Sequence, residues 1–180
     1  MTWKIDSSHS QIEFTVKHMM IATVRGRFGS FDGDVNVNRG NLLASTVEGW
    51  VETASVDTRD GNRDAHLRSA DFFDAEKFPR MTFRSTKIEK AGDGEFKVTG
   101  DLTIKDTTRP VTFTVTDEGH GKDPWGNRRW GLSATASLNR KDFGLNWNVA
   151  LETGGWLVSD QVKIQAELEL VETVAEPAAA

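Results

Sequence analysis

Residues 95–105 read EFKVTGDLTIK, and they alternate without a break. Phe96, Val98, Gly100, Leu102 and Ile104 fall on one side; Glu95, Lys97, Thr99, Asp101, Thr103 and Lys105 fall on the other. A period of two sends successive side chains to opposite faces of an extended chain, so this is a strand with one dry face and one wet face. Residues 161–171, QVKIQAELELV, repeat the pattern. Ile12, Phe14 and Val16 alternate in the same way with Gln11, Glu13, Thr15 and Lys17.

Extending this reading outward predicts strands near 10–18, 26–38, 41–54, 80–90, 94–105, 110–118, 128–139 and 157–171. Turn chemistry separates many of them: NRGN at 38–41, AGDG at 91–94 and KDTTRP at 105–110. Links this short join antiparallel neighbours. Eight such strands, each apolar on one face, predict an all-β fold. The expected form is an elongated eight-stranded antiparallel up-and-down barrel, which removes sheet edges; a sandwich is the second choice. Strands of about 11–15 residues span ~36–50 Å before tilt. The charged face must meet water, the reverse of a barrel facing lipid.

The 180 residues fit one domain, expected over residues 1–171 with a flexible tail at 172–180. The chain has no cysteine, which excludes disulfides, thiolate nucleophiles and Cys-type zinc sites. Its net charge is −5, and Arg59, Arg63 and Arg68 are interleaved with Asp57, Asp60, Asp64 and Asp71. That is a mixed-sign surface, so no nucleic-acid partner is expected. No apolar run reaches membrane-helix length, and MTWKIDSSHS lacks a signal-peptide pattern. The expectation is a cytoplasmic protein; one already cleaved of a signal and resident in the periplasm would read the same.

Whether the barrel is solid or hollow depends on its small inward residues, Gly33, Gly49, Gly100, Ala134, Ala136 and Ala166. Facing bulky neighbours they are ordinary packing; lined up they leave a tunnel. Two stretches break the strand pattern, 57–79 and 139–156. In the first, Asp57 or Thr58 stands where a helix over roughly 60–68 needs its N-cap. Asp71, with Asp74 three residues on, stands before a second turn that Pro79 ends. A short helical insertion near 58–77 is therefore expected. Phe72 and Phe73 give it an apolar underside, which either seals a barrel end or touches a ligand. Asp64 is placed to orient His66 or to pair with an arginine.

Chemistry-bearing signatures are sparse. His9, His18, His66 and His120 show no metal-ligand spacing, so no metal site is expected. Neither a nucleophile elbow nor a phosphate loop is present. His18 continues the inward parity of Ile12, Phe14 and Val16. It is then either a core histidine bonded to a carbonyl or a polar handle at a cavity mouth. The chain has six tryptophans and no tyrosine. Trp147 and Trp156 bracket the second irregular stretch, as the wall of an apolar site or as a core plug.

Five segments together resemble the YceI family of lipocalin-like, polyisoprenoid-binding proteins: DSSHSQIEFTVKHMM, VRGRFGSFDGDV, SVDTRDGNRDAHLRSADFFDAEKFPRMTFRST, VTGDLTIKDTTRPV and LNRKDFGLNW. The resemblance runs from about Trp3 to Leu170. It implies a hydrophobic tunnel holding a polyprenyl phosphate, an isoprenoid quinone or a fatty amphiphile, in a carrier or storage protein rather than an enzyme, often dimeric. No cofactor beyond the bound lipid is implied. The residues expected at the ligand are His66, Phe72, Phe73, Phe83, Leu102 and Trp147, with His18, Arg25 and Arg63 near its head group. The competing readings are an enzyme or redox partner acting on such a lipid, with His18, His66 and Asp64 converging, or a stress-response interaction protein with a filled barrel.

Overall fold

The computed structural model describes residues 1–173. Its strands are β1 (Thr2–Ile5), β2 (Gln11–His18), β3 (Ala22–Phe28), β4 (Phe31–Asn36), β5 (Thr46–Glu52), β6 (Val56–Asp57), β7 (Arg80–Gly92), β8 (Glu95–Ile104), β9 (Thr107–Lys122), β10 (Arg128–Asn139) and β11 (Gln161–Thr173). One helix, α1 (Gly61–Arg68), lies between β6 and β7. The order β1-β4-β5-β7-β8-β9-β10-β11 closes through β1–β11 pairing, with every ladder antiparallel.

The barrel has eight strands because three of them are broken in two. β1 continues into β2 across a 3₁₀ turn at Ser7–His9, β3 into β4 through Gly29–Ser30, and β5 into β6 across a 3₁₀ turn at Thr53–Ser55. Among the described residues, β2 and β3 pair with each other, β2 also with β11, and β6 only with β3. The expected strands at 26–38 and 41–54 are thus each interrupted. Residues 42–44 form a 3₁₀ turn rather than strand. Thr2–Ile5 is a strand the alternation did not suggest, since four residues are too short for a period to register. β11 begins at Gln161 and runs to Thr173, where Thr173 faces Thr2; residues 174–180 of the expected tail lie outside the described residues.

β6 has no partner on its β7 side, and the segment 58–79 fills that gap. Asp60 caps α1, its carboxylate accepting the Asn62 and Arg63 N–H groups at 3.0 Å. The two residues expected to cap it are engaged elsewhere. Asp57 accepts the Arg59 N–H and faces Arg27, while the Thr58 hydroxyl donates to Asp64 at 2.6 Å. Asp71 likewise caps nothing; it faces the His66 Nε2 at 2.8 Å. Asp74 adopts a left-handed backbone (φ 48°) that returns its N–H to the Ser69 carbonyl. Residues 69–78 are therefore a chain of turns. Among the described residues, no helix is long and apolar enough to cross a membrane.

Candidate functional site

The inner faces of the strands enclose a cavity of about 690 Å³. Ile12 and Phe14 of β2, Val98 and Leu102 of β8, and Ile164 and Leu168 of β11 are the inward parity of the alternating stretches, and all border it. The small residues divide between the two roles open to them. Gly100 lies beneath Phe83: a Cβ there would stand 2.5 Å from the ring. That is packing. Ala134 and Ala166 face each other across the β10–β11 ladder and both border the cavity, as does Gly49. Short side chains there leave the space unfilled. At the Gly33–Gly49 pair the wall is a bare backbone, since a Cβ on Gly33 would come within 2.6 Å of the Glu48 carbonyl.

One end is sealed. Phe143, 2% exposed, and Leu145 project from the 3₁₀ turn Arg140–Phe143 and the residues after it. They pack with Phe28, Val56, Leu67 and Phe73. Arg140 fixes this segment from inside. Its buried guanidinium donates to the carbonyls of Leu145 (2.6 Å), Trp147 (2.8 Å) and Ser159 (3.0 Å). Burial lowers its pKa, and Asp160 opposes that shift. On the other side, Asp64 accepts the Thr58 N–H at 2.8 Å and its hydroxyl, and Arg63 donates to the Thr58 hydroxyl and carbonyl.

Most of the residues expected at the ligand belong to this sealed end. Phe83 and Leu102 border the cavity; His18, Arg25, Arg63, His66, Phe72, Phe73 and Trp147 do not. His66, Phe72 and Trp147 form one aromatic group, with centroids 4.6–5.5 Å apart. Phe73 stacks edge-on to Phe28, and Arg63 is committed to Thr58. Arg25 is exposed on β3. His18 sits at the β2–β3 turn, bridging to Val158. That turn passes through Met19 and Met20, both left-handed (φ 51° and 61°). Asp64 turns to Thr58 and His66 to Asp71, so the convergence of His18, His66 and Asp64 that an enzyme reading requires is not formed at the cavity.

The opposite end is the mouth. Arg39, Leu42, His120 and Arg128 border the cavity and are exposed. Beneath them lies an aromatic collar. Trp3, 2% exposed, meets Trp130 edge-on at 5.5 Å, and His120 stacks on Trp130 at 5.1 Å. The Trp130 Nε1–H donates to Asp117 at 2.9 Å. The Arg128 guanidinium lies 5.6 Å from the Trp3 ring and 3.0 Å from Glu172, which also faces Arg39 at 3.8 Å. These residues were missed. His120 lies past the expected end of β9, where Gly119 and Gly121 interrupt the alternation. Trp130 continues the parity of Leu132 and Ala134, a signal the sequence does carry.

A second polar cluster lies outside the wall. Arg129 donates to Asp6 at 2.6 Å and to Glu169 and Asp123 at 3.0–3.1 Å. Hydrogen bonds from Ser8, His9 and Arg129 hold Asp6 well below the usual carboxylate range. Burial opposes ionisation of Asp123, but Asn127, Arg129 and the Trp125 N–H together outweigh it and lower its pKa to about 2. Asp6, His9 and Glu169 are close enough to hold a cation, but the Arg129 guanidinium already occupies the Asp6 and Glu169 carboxylates.

An eight-stranded barrel, closed at one end and hollow to the other, has room for one small apolar guest. The chain belongs to the YceI-like domain family, whose model matches residues 3–170. A UPF0312 protein of Vibrio cholerae (El Tor Inaba N16961) is 41% identical over 138 residues, covering 77% of this chain and 73% of that protein. A UPF0312 protein of Pseudomonas putida KT2440 is 40% identical over 145 residues, covering 79% and 76%. The crystal structure of Burkholderia cenocepacia BcnA superposes with a TM-score of 0.80 at 26% identity, over 92% of this chain and 98% of that one. A polyisoprenoid binding domain from Saccharophagus degradans shares the fold, with a TM-score of 0.72 at 13% identity over 95% and 98%.

Proposed function

We propose that the protein binds a long-chain isoprenoid or similar amphipathic lipid, tail first, and carries or stores it. The observation that supports this most directly is the apolar cavity of about 690 Å³ open at the Trp3–Trp130 end. At roughly 30 Å³ per non-hydrogen atom, the share of a water in the liquid, that volume takes on the order of 20 carbons. Four isoprene units fill it; a longer tail projects from the mouth. Each Å² of tail removed from water contributes ~25 cal/mol, so the tail supplies the affinity and the head remains near solvent. The fold is also that of the Saccharophagus degradans domain named for polyisoprenoid binding, which makes isoprenoid tails the first class to try. Polyprenyl phosphates and isoprenoid quinones share such a tail and differ at the head; fatty amphiphiles offer an unbranched tail of the same polarity.

The test is titration of the delipidated protein with geranylgeraniol, a C20 isoprenoid alcohol, alongside native mass spectrometry of the protein as purified. Saturable one-to-one binding and a co-purifying lipid released by organic solvent are expected. No binding of the C20 alcohol, together with no adduct, would remove the reading.

A further inference from the structure

Two structured turns at the mouth end present apolar side chains to water. The β9–β10 turn is held by Asp123, which accepts the Trp125 N–H (3.0 Å), the Asn127 N–H (2.9 Å) and the Asn127 side-chain amide (2.9 Å). It displays Trp125 at 83% exposure. The β4–β5 connection carries the 3₁₀ turn Leu42–Ala44, capped by Asn41, whose side chain accepts the Leu43 N–H. It displays Leu42 at 53% and Leu43 at 48% exposure. Glu172 links the two sides, facing Arg39 from one connection and Arg128 from the other. Leu42 belongs both to this exposed set and to the cavity wall. The apolar surface is therefore continuous from the outside of the β4–β5 turn into the barrel.

We infer that this rim docks onto a lipid bilayer, so that the ligand tail passes between membrane and barrel without crossing water. The inference rests on the lipid-binding reading and adds where the lipid is exchanged. Tryptophan and leucine are the side chains that partition into the bilayer interface, where an indole keeps its N–H among the head groups. Arg39 and Arg128 both face Glu172 and place two exposed guanidinium groups on the rim, where lipid phosphates would lie. The chain as a whole is negative, so the contact is made by the apolar turns rather than by a general electrostatic attraction. The sealed end also exposes apolar groups, Met19, Met20, Ile21, Val149 and Trp156, but none of them borders the cavity.

The experiment is co-sedimentation of the full chain with phosphatidylcholine vesicles, read beside binding of detergent-dispersed geranylgeraniol. The wild type should sediment with the vesicles. A Trp125→Ser/Leu43→Ser variant, changed at two residues outside the cavity wall, should lose about tenfold or more of its bound fraction, the scale set by two large side chains leaving an apolar phase. It should bind the dispersed alcohol as the wild type does and transfer it between vesicles more slowly. Met20→Ser/Ile21→Ser should sediment like the wild type. Equal sedimentation of the wild type and the Trp125/Leu43 variant would overturn the inference, as would loss confined to the Met20/Ile21 variant. So would a wild-type dimer that ignores vesicles and that the rim substitutions dissociate, since the rim would then be a contact between copies. Failure to bind the dispersed alcohol removes the lipid-binding reading itself and is read separately from sedimentation.

Discussion

Replacing Ala166 by phenylalanine should shorten the ligand that the barrel accepts. Ala166 faces Ala134 across the ladder, with Ile12 on its other side, and its methyl group points into the cavity. The substitution adds six carbons. At roughly 30 Å³ each they occupy ~180 Å³, about a quarter of the space. A C20 tail then loses room for about six of its carbons. At ~0.8 kcal/mol per buried methylene the ceiling on the loss is ~5 kcal/mol. A tail that slides outward and keeps its remaining contacts loses less, so its Kd should rise about 10²–10³-fold. Geraniol, a C10 alcohol, fits the reduced space and should bind within about threefold of its wild-type affinity. Calorimetric titration of both alcohols against both proteins measures the contrast. The melting temperature should hold or rise, because the ring fills a void rather than displacing packed atoms. An unchanged C20 affinity would show that the tail does not occupy the barrel. Equal weakening of both alcohols would show a disturbed wall rather than a shortened one.

Asp64→Ala removes the acceptor of the buried Thr58 N–H and hydroxyl, at a cost of about 2–3 kcal/mol. Thermal unfolding should fall by roughly 5–10 °C, with C20 binding unchanged at 25 °C; a large loss of affinity with intact stability would instead place the 58–79 segment at the ligand. Arg140→Lys keeps the charge but cannot fork to the carbonyls of Leu145, Trp147 and Ser159, so it should destabilise by about 3 kcal/mol. Limited proteolysis should then cut first within residues 141–160; a lysine variant as resistant as the wild type would refute that role for the arginine. Asp6 and Asp123 have folded pKa values below those of the unfolded chain. Their contribution is complete above about pH 4, the unfolded carboxylate value, and is lost as pH falls toward the folded ones, about 2 for Asp123. Arg129→Gln should be less stable at pH 6 and should lose less between pH 4 and 2 in denaturant titrations; parallel wild-type and variant curves would contradict the network's role.

The wall of the barrel was legible in the sequence and its ends were not. Phe96 to Ile104 and Val162 to Leu170 alternate because each strand meets one uniform interior and one uniform exterior. That regularity is local. The breaks at Ser7–His9, Gly29–Ser30 and Thr53–Ser55 redirect a strand without leaving a mark that alternation could carry. Which end is open depends on where Phe143 and Leu145 fold back, a tertiary event. The charges of residues 57–79 break the alternation because they serve caps and closures: Asp60 to Arg63, Asp64 to Thr58, Asp71 to His66. The mouth is assembled from Trp3, Arg39 and the β9–β10 residues His120, Arg128 and Trp130, three stretches distant from one another in sequence, of which only Trp130 continues an alternation.

The closing ladder sets the order in which this barrel can be made. Trp3 is opposite Glu172 and Ile5 opposite Leu170, whose side chain is 0% exposed. The most remote parts of the described chain are thus immediate neighbours. Contacts of such sequence separation are costly to form and slow folding. On the ribosome, β1 must wait for β11, and β10 must present its free edge to solvent until β11 emerges. A nascent chain halted before Gln161 would be an open, curved sheet with its apolar side uncovered, a substrate for chaperones rather than a partly working protein.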